Sequence, residues 1–238
     1  ARHELADEHF GEGVAVAGDR IMQLTWQSGV GFSYDLASFR LLETFSYTGE
    51  GWGLAFDGNR LIMSDGTARL RFLDPDTFAE IGSVQVRDAD GPVDQLNELE
   101  YIDGQVFANI WQTDQIARID PGTGVVTGFV DLTGLLPEAD RTESVDVLNG
   151  IAYDPDRDRL FVTGKRYWAH GPAGDPEPEA PPVLYWFKLS RKVGKASYEP
   201  QMIDNRSGVG TMVAARDVNG DKKADVVVGN KRGTILFL

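Results

Sequence analysis

The sequence predicts an all-β fold, a five-bladed β-propeller in which the N-terminal strand closes the last blade. Three observations predict it: a segment opening that recurs five times, β-rich runs between turn residues, and the absence of any convincing helical period. The openings are "GEGVAV" from residue 11, "GWGLAF" from 51, "LNELEY" from 96, "LNGIAY" from 148 and "GVGTMVA" from 208.

Each opening leads through a polar turn into a second run. These are "RIMQLTW" from 20, "RLIMSDG" from 60, "QVFANIW" from 105, "RLFVTGK" from 159 and "ADVVVGN" from 224. Third runs follow as "VGFSYD", "RLRFLD", "IARID", "LYWFKL" and "TILFL". The first four units add a fourth run: "RLLETFSY", "EIGSVQV", "VVTGFVDL" and "SYEPQMID". Alternating, β-branched and aromatic runs bounded by Gly, Asp, Asn and Pro read as strands. "DPDT" and "DPGTG" are turns with a mechanism, because Pro presets φ and Gly supplies positive φ. Four strands repeating at roughly 40–60 residues are the signature of propeller blades. The fifth unit lacks a fourth strand, so "ARHELADE" at the N-terminus is expected to supply it, covering exposed edges and closing the ring.

Composition narrows the function. Hydrophobic residues make up 42% of the 238, ample for a packed core. The formal charge of -14 repels phosphate backbones, so no nucleic-acid partner is expected. Cysteine is absent, which excludes disulfides, thiolate zinc sites and a cysteine nucleophile. No run approaches a membrane span, and no signal peptide begins at Ala1, so no membrane partner is expected. A monomer is the expected state.

Residues 1 to about 165 resemble the plant- and bacterial-type glutaminyl-peptide cyclotransferases, which are five-bladed propellers. The resemblance is carried by "HFGEG", "RIMQLTWQSGVGF", "YTGEGWGLAFDGNRLIMSDGTARLRFLDP", "LNELEYIDGQVFANIWQTD", "ARIDP" and "DVLNGIAYDPDRDRLFVTGK". From about residue 163 the chain is similar instead to FG-GAP or VCBS-type calcium-binding propeller repeats, through "TGKRYWAHG", "PPVLYWFKLS", "IDNRSGVGTMVAARDVNGD" and "DVVVGNKRGT". The first resemblance implies a whole leading blade with Phe-Thr-Gln-Gly and Glu-Ser-Thr-Gly stretches, of which only "ARHELADE" is found. One propeller domain is therefore expected, with cyclotransferase-like blades over 1–165 and strands of the second kind over 166–238. A recombined or engineered chimera is preferred to a natural fusion.

"DVNGDKKAD" from 217 has calcium-loop spacing, since alternating acidic residues in a tight loop present hard oxygens to one side. The expected ligands of a structural Ca2+ are Asp217, Asn219, Asp221, the carbonyl of Lys223 and Asp225; an acidic turn without metal is the other reading. Lys222 stands where the repeat pattern has Gly. "YDPDRDR" at 153–159 offers Asp154, Asp156 and Asp158, but Val162 occupies the closing position.

Counting along the second runs puts Trp26, Gly66, Trp111, Lys165 and Asn230 around one channel mouth. Glu12, Glu50, Asn97, Glu98 and Asn149 begin first strands, or precede them, and should approach the same mouth. The calcium loop, between first and second strands, belongs on the opposite face. The acidic, Pro-rich stretch 170–182 should project over the mouth.

The resemblance implies N-terminal Gln peptides as partners, attack of the α-amine on the side-chain amide, and loss of ammonia. It matches Asn97 and Lys165 to polar catalytic positions and Trp26 and Trp111 to pocket walls, beside Glu12 and Asn149; packing is the other reading for both tryptophans. It also implies an extracytoplasmic location. The carboxylate of the Glu-Ser-Thr-Gly stretch has no counterpart in Val226, Val227, Val228 and Gly229, so impaired native catalysis is expected. An active cyclotransferase and a peptide-binding propeller are the alternatives. His3, His9 and His170 have no metal spacing, so no zinc is expected.

Overall fold

A computed structural model describes residues 2–135, 145–155, 159–166, 184–192, 195–204, 210–219, 221, 223, 225–230 and 233–237. These residues form strands, turns and bends, with no helix among them. The first sheet joins β2 (Gly11–Ala17), β3 (Arg20–Thr25), β4 (Val30–Asp35) and β5 (Leu41–Ser46) in that order, with β1 (Arg2–Glu4) standing apart from it. The second joins β6 (Leu54–Phe56), β7 (Leu61–Met63), β8 (Arg69–Leu73) and β9 (Glu80–Gln85). The third joins β10 (Leu96–Ile102), β11 (Gln105–Ile110), β12 (Gln115–Ile119) and β13 (Val126–Asp131).

Local chemistry explains why each blade turns where it does. The third and fourth strands are linked by Asp35–Phe39, Asp74–Phe78 and Asp120–Gly124, three versions of one five-residue turn. In each, the last residue has positive φ (57°, 57° and 72°) and its N–H donates to the carbonyl of the opening Asp at 2.8 Å. The Asp carboxylates accept further turn donors: Ser38 N on Asp35, Thr77 N on Asp74 and Gly122 N on Asp120. Those bonds, preceded at Asp35 by the one its carboxylate accepts from the Ser38 hydroxyl, hold all three carboxyls below the ordinary range. The β10–β11 hairpin turns on Asp103 and Gly104, both at positive φ (48° and 84°), the geometry that matches strand twist.

The remaining strands are β14 (Val145–Asp154), β15 (Arg159–Arg166), β16 (Leu184–Lys192), β17 (Lys195–Asp204), β18 (Gly210–Arg216), β19 (Asp225–Asn230) and β20 (Gly233–Phe237). β1 pairs antiparallel with β20, Arg2 opposite Ile235, giving a sheet ordered β1-β20-β19-β18. The chain's first strand thus edges its last sheet. The expectation of five four-stranded blades needs correction here. Among the described residues there are four four-stranded sheets, while β14–β15 and β16–β17 form separate two-stranded ladders. No ladder hydrogen bonds join β15 to β16, and residues 167–183 between them lie outside the described set.

The first strands nevertheless succeed one another in a cycle, with β2 beside β6, β6 beside β10, β10 beside β14, β14 beside β18, and β18 beside β2. Neighbouring sheets bury apolar faces against each other. Val14, Ile21, Phe32 and Tyr34 pack with Val227 and Leu236; Met22, Leu24 and Phe45 pack with Leu54, Met63 and Phe78; Ile62, Leu70 and Phe72 pack with Leu99, Val106 and Ala117. Burial of this kind between blades, at about 25 cal/mol per Å2, is what fixes their order around the axis.

Candidate active site

Backbone hydrogen bonds gather the ends of second strands to the starts of first strands. Trp26 N donates to Phe10 O at 2.8 Å, and Gly51 N donates to Trp26 O at 2.9 Å. One blade further on, Gln95 N donates to Gly66 O at 2.8 Å, Gly66 N to Leu96 O at 3.2 Å and Trp111 N to Gln95 O at 2.8 Å. Trp26, Gly66 and Trp111 are thereby brought to one end of the first strands. Gly66 has φ +80°, and a Cβ there would lie 2.8 Å from the ring of Trp52. Only glycine satisfies both the backbone and the indole above it.

Trp52 is one of the residues that sequence reasoning missed. Its ring meets Trp111 edge-on at 5.7 Å and 81°, and its Nε1 donates to Glu50 Oε2 at 2.8 Å. The same carboxylate oxygen accepts from Trp26 Nε1 at 2.8 Å, and Oε1 accepts from Gln27 Nε2 at 3.1 Å. Trp26 is 37% exposed and touches Phe10 edge-on at 5.5 Å. Two of the expected mouth residues, Trp26 and Trp111, are thus joined through Glu50 and Trp52. A signal was available: Trp52 holds the second place of "GWGLAF", where "LNELEY" and "LNGIAY" place Asn97 and Asn149.

The strands that lead to this end also carry buried amides. Asn97 (β10) and Asn149 (β14) are 4% and 0% exposed. Asn97 Oδ1, both side-chain polar atoms of Asn149, Asn109 Nδ2 and Gln95 Oε1 have no hydrogen-bond partner among the described residues. Asn109 Oδ1 accepts from Gly150 N at 2.9 Å, and Ser64 Oγ donates to Asn97 O at 2.6 Å. Asn109 shares the fifth place of its run with Ser64 and Thr163, whose hydroxyl donates to Asn149 O at 2.7 Å. Gln95 and Asn109 were not anticipated. Lys165 belongs to β15, and its neighbour Gly164 pairs with Leu148.

The first strands also carry three carboxylates, of which Glu100 lies toward the end away from the tryptophans. Glu12 is buried on β2, and its charge acts on Tyr47. Glu98 is 1% exposed on β10, and its Oε2 accepts from Ile151 N at 2.6 Å. Burial, reinforced by the charge of Glu100, pushes the Glu98 carboxyl well above its ordinary value. Burial raises Glu100 to about 8, while its Oε1 accepts from Tyr153 N at 3.1 Å.

At the opposite ends of the first strands is a cavity of about 520 Å3, lined by Val14, Leu54, Glu100, Tyr153 and Asp217 among others. Asp217, the first residue of the 217–225 loop, therefore lies away from the tryptophan mouth. In that loop Asp225, 4% exposed, accepts from Val218 N at 2.8 Å and Asn219 N at 3.2 Å. Asn219 Oδ1 accepts from Asp221 N at 2.8 Å, and the Asp221 carboxylate takes Lys223 N at 2.9 Å and Lys223 Nζ at 3.3 Å. As they stand these oxygens serve the loop's own donors, and no group of three or more His, Asp or Glu gathers for a metal among the described residues. Lys222, Asp156, Asp158 and the stretch 170–182 lie outside the described residues, as does the side chain of Asn230.

Comparison with known proteins bears on this arrangement. Residues 1–170 match the family described as glutamine cyclotransferase. The glutaminyl-peptide cyclotransferase of Arabidopsis thaliana is 40% identical over 198 residues, covering 81% of this chain and 57% of the plant protein. The chain thus spans little more than half the length of that relative. The matched share is also larger than residues 1–165 could supply, so the likeness continues past the seam expected there. A crystal structure of Myxococcus xanthus glutaminyl cyclase is similar with a TM-score of 0.62 and 42% identity, covering 66% of this chain and 68% of that one. A chain of a mitotic checkpoint complex, at 12% identity and a TM-score of 0.54, covers 98% of this chain and 76% of its own and shares the fold alone.

Proposed function

Because the chain belongs to the glutamine cyclotransferase family, we propose that it closes the N-terminal glutamine of peptides to pyroglutamate with release of ammonia. The observation that carries this reading is the set of unpartnered amide atoms on Asn97 and Asn149, buried at the end of the strands where Trp26, Trp52 and Trp111 meet. Buried polar atoms are rarely left without partners unless a ligand or ordered water completes them.

In this reaction the substrate's α-amine attacks its own side-chain carboxamide carbon. The lactam C–N bond forms and the bond to the departing nitrogen breaks. The amine gives up one proton and the leaving group takes one, so the site shuttles a proton rather than consuming it. Asn149 Nδ2 donates to the carboxamide oxygen as it gains charge, and Asn97 Oδ1 accepts from an N–H of the substrate's amine or carboxamide. Lys165, next in sequence to the partner of Leu148, is assigned to the proton returned to ammonia. The indoles wall the glutamine side chain from water.

A catalytically silent propeller is the second reading, and one observation favours it. Glu50 is tied by three donors, and the Glu98 carboxyl, pushed up by burial, is spent on Ile151 N, so neither is placed as a ready proton acceptor. Incubation with a Gln-initiated peptide, followed by mass spectrometry against the spontaneous rate, separates the two. Ammonia loss above background, reduced by about 10²–10⁴ in Lys165→Ala, is the expected result. A folded protein with no excess rate supports silence.

Four finer proposals accompany this one. The cycle of first strands supports a five-bladed ring with β14–β17 as its fourth blade. A recombined origin is the weaker account of residues 163–238, given the likeness beyond 165. An extracytoplasmic, monomeric protein follows the family resemblance. For the loop, a structural Ca2+ would exchange the present contacts of Asp217, Asn219, Asp221 and Asp225 for metal bonds, with the Lys223 carbonyl. Calcium at about 1 mM is expected to raise the Tm by a few degrees in the wild type and not in Asp221→Ala; equal shifts in both proteins would exclude the site.

A further inference from the structure

Glu50 stands between β5 and β6 with one oxygen shared by two indoles from different blades. Trp26 leaves the end of β3, Trp52 precedes β6, and both Nε1 atoms lie 2.8 Å from Glu50 Oε2. Gln27 Nε2 occupies Oε1 at 3.1 Å. Trp52 then meets Trp111, which follows β11 in the third blade, edge-on at 5.7 Å. A single carboxylate therefore organises a row of three rings across three blades.

The physical need is clear for Trp26. The residue is more than a third exposed and its ring meets Phe10 edge-on, so packing alone does not fix its orientation. An indole N–H can only donate, and a bond to an ionised acceptor is roughly twice as strong as one to a neutral group. Burial pushes the Glu50 carboxyl up, but donors from Trp52, Gln27 and Trp26 outweigh it and hold the group below its ordinary range. A carboxylate so held is a poor base near neutrality, where a general base needs a pKa close to the working pH.

We propose that Glu50 is a positioning residue: its carboxylate sets the Trp26 and Trp52 indoles as walls of the mouth, and it takes no proton in the reaction. What enters the mouth rests on the cyclotransferase reading; the wall itself does not.

Glu50→Leu and Glu50→Gln test this through spectroscopy and kinetics together. Three of the five tryptophans belong to this row, so indole signals report on it directly. In Glu50→Leu, near-UV circular dichroism should weaken and acrylamide quenching should rise, with KM up by about tenfold for lost charge-assisted bonds and kcat little changed. Glu50→Gln, whose amide oxygen still accepts both N–H groups, should restore the spectrum and most of KM. Unchanged indole signals in folded Glu50→Leu would overturn the proposal. So would a Glu50→Gln protein with native spectrum and kcat lost. Should Glu50→Leu not fold, the kcat and spectrum of Glu50→Gln decide between the two roles. If the wild type itself releases no ammonia, the cyclotransferase reading fails while the spectra still decide the role of Glu50.

Discussion

Replacing Glu98 by Gln is expected to stabilise the protein, and increasingly so as pH rises from 5 to 9. Glu98 is 1% exposed, and it accepts a backbone hydrogen bond from Ile151 across the β10–β14 junction. Burial, then the neighbouring charge of Glu100, holds its carboxyl well above the ordinary 4.5. The folded protein therefore keeps a proton that the unfolded chain releases near its ordinary pKa. The sign follows: with more protons bound in the folded state, stability falls as pH rises. Its full contribution is present below about 4.5 and is lost as pH climbs through the folded pKa. For Glu100, raised by burial to about 8, that window runs from 4.5 to about 8.

The larger part of the loss belongs to Glu98, which is buried, and the smaller to Glu100, which is only half-buried. Gln keeps an oxygen for Ile151 N–H and has nothing to ionise. Urea unfolding at pH 5, 7 and 9 should show the gap between Glu98→Gln and wild type widening with pH. Glu98→Leu separates the hydrogen bond from the charge, because it leaves Ile151 N–H without its acceptor. It should be less stable than Glu98→Gln by about 1–3 kcal/mol. Parallel pH profiles for wild type and Glu98→Gln would mean that Glu98 is already ionised in the fold.

Gly53→Ala is expected to be strongly destabilising and to damage the site at the same time. A Cβ at Gly53 would lie 2.1 Å from Asn97 O and 2.8 Å from Ser64 Oγ. These atoms already form a junction. Ser64 Oγ accepts from Gly53 N at 2.8 Å and donates to Asn97 O at 2.6 Å. Backbone cannot yield as a flexible side chain can, so the methyl must drive β6 from β10. Overpacking of this kind costs about 1–3 kcal/mol, and the broken junction adds about 1 kcal/mol more. Asn97 moves with its carbonyl, so any peptide cyclisation should fall by about 10². Gly128→Ala on β13 is the control, since nothing lies within 4 Å of its Cβ and its φ is ordinary; it should change stability by less than about 0.5 kcal/mol. Equal behaviour of the two variants would show that β6 and β10 are not packed as described.

Much of the blade architecture was readable from residues that act on near neighbours. The turns at Asp35, Asp74 and Asp120 carry their own acceptor and their own positive-φ position within five residues, so their sequence alone dictates them. Counting along the second runs put Trp26, Gly66 and Trp111 at one mouth and the 217–225 loop at the other end. Trp52 and Glu50 were harder because their meaning lies in partners from other blades. The fourth blade was harder still: its runs read as strands, yet they form two separate ladders among the described residues.

The sequence by itself determined the all-β class, the repeat, the closing N-terminal strand and the order of strands within the first three blades. Those features depend on side-chain alternation and turn chemistry within a few residues. Only the tertiary structure decided that burial pushes the Glu98 carboxyl up, that Glu50 is tied to three donors, and that Asn97 and Asn149 carry unpartnered amide atoms. Glu98 meets Ile151 at a separation of 53 residues. Burial and charge state at that range are set by which blade packs against which, and no local pattern encodes the water that such packing removes.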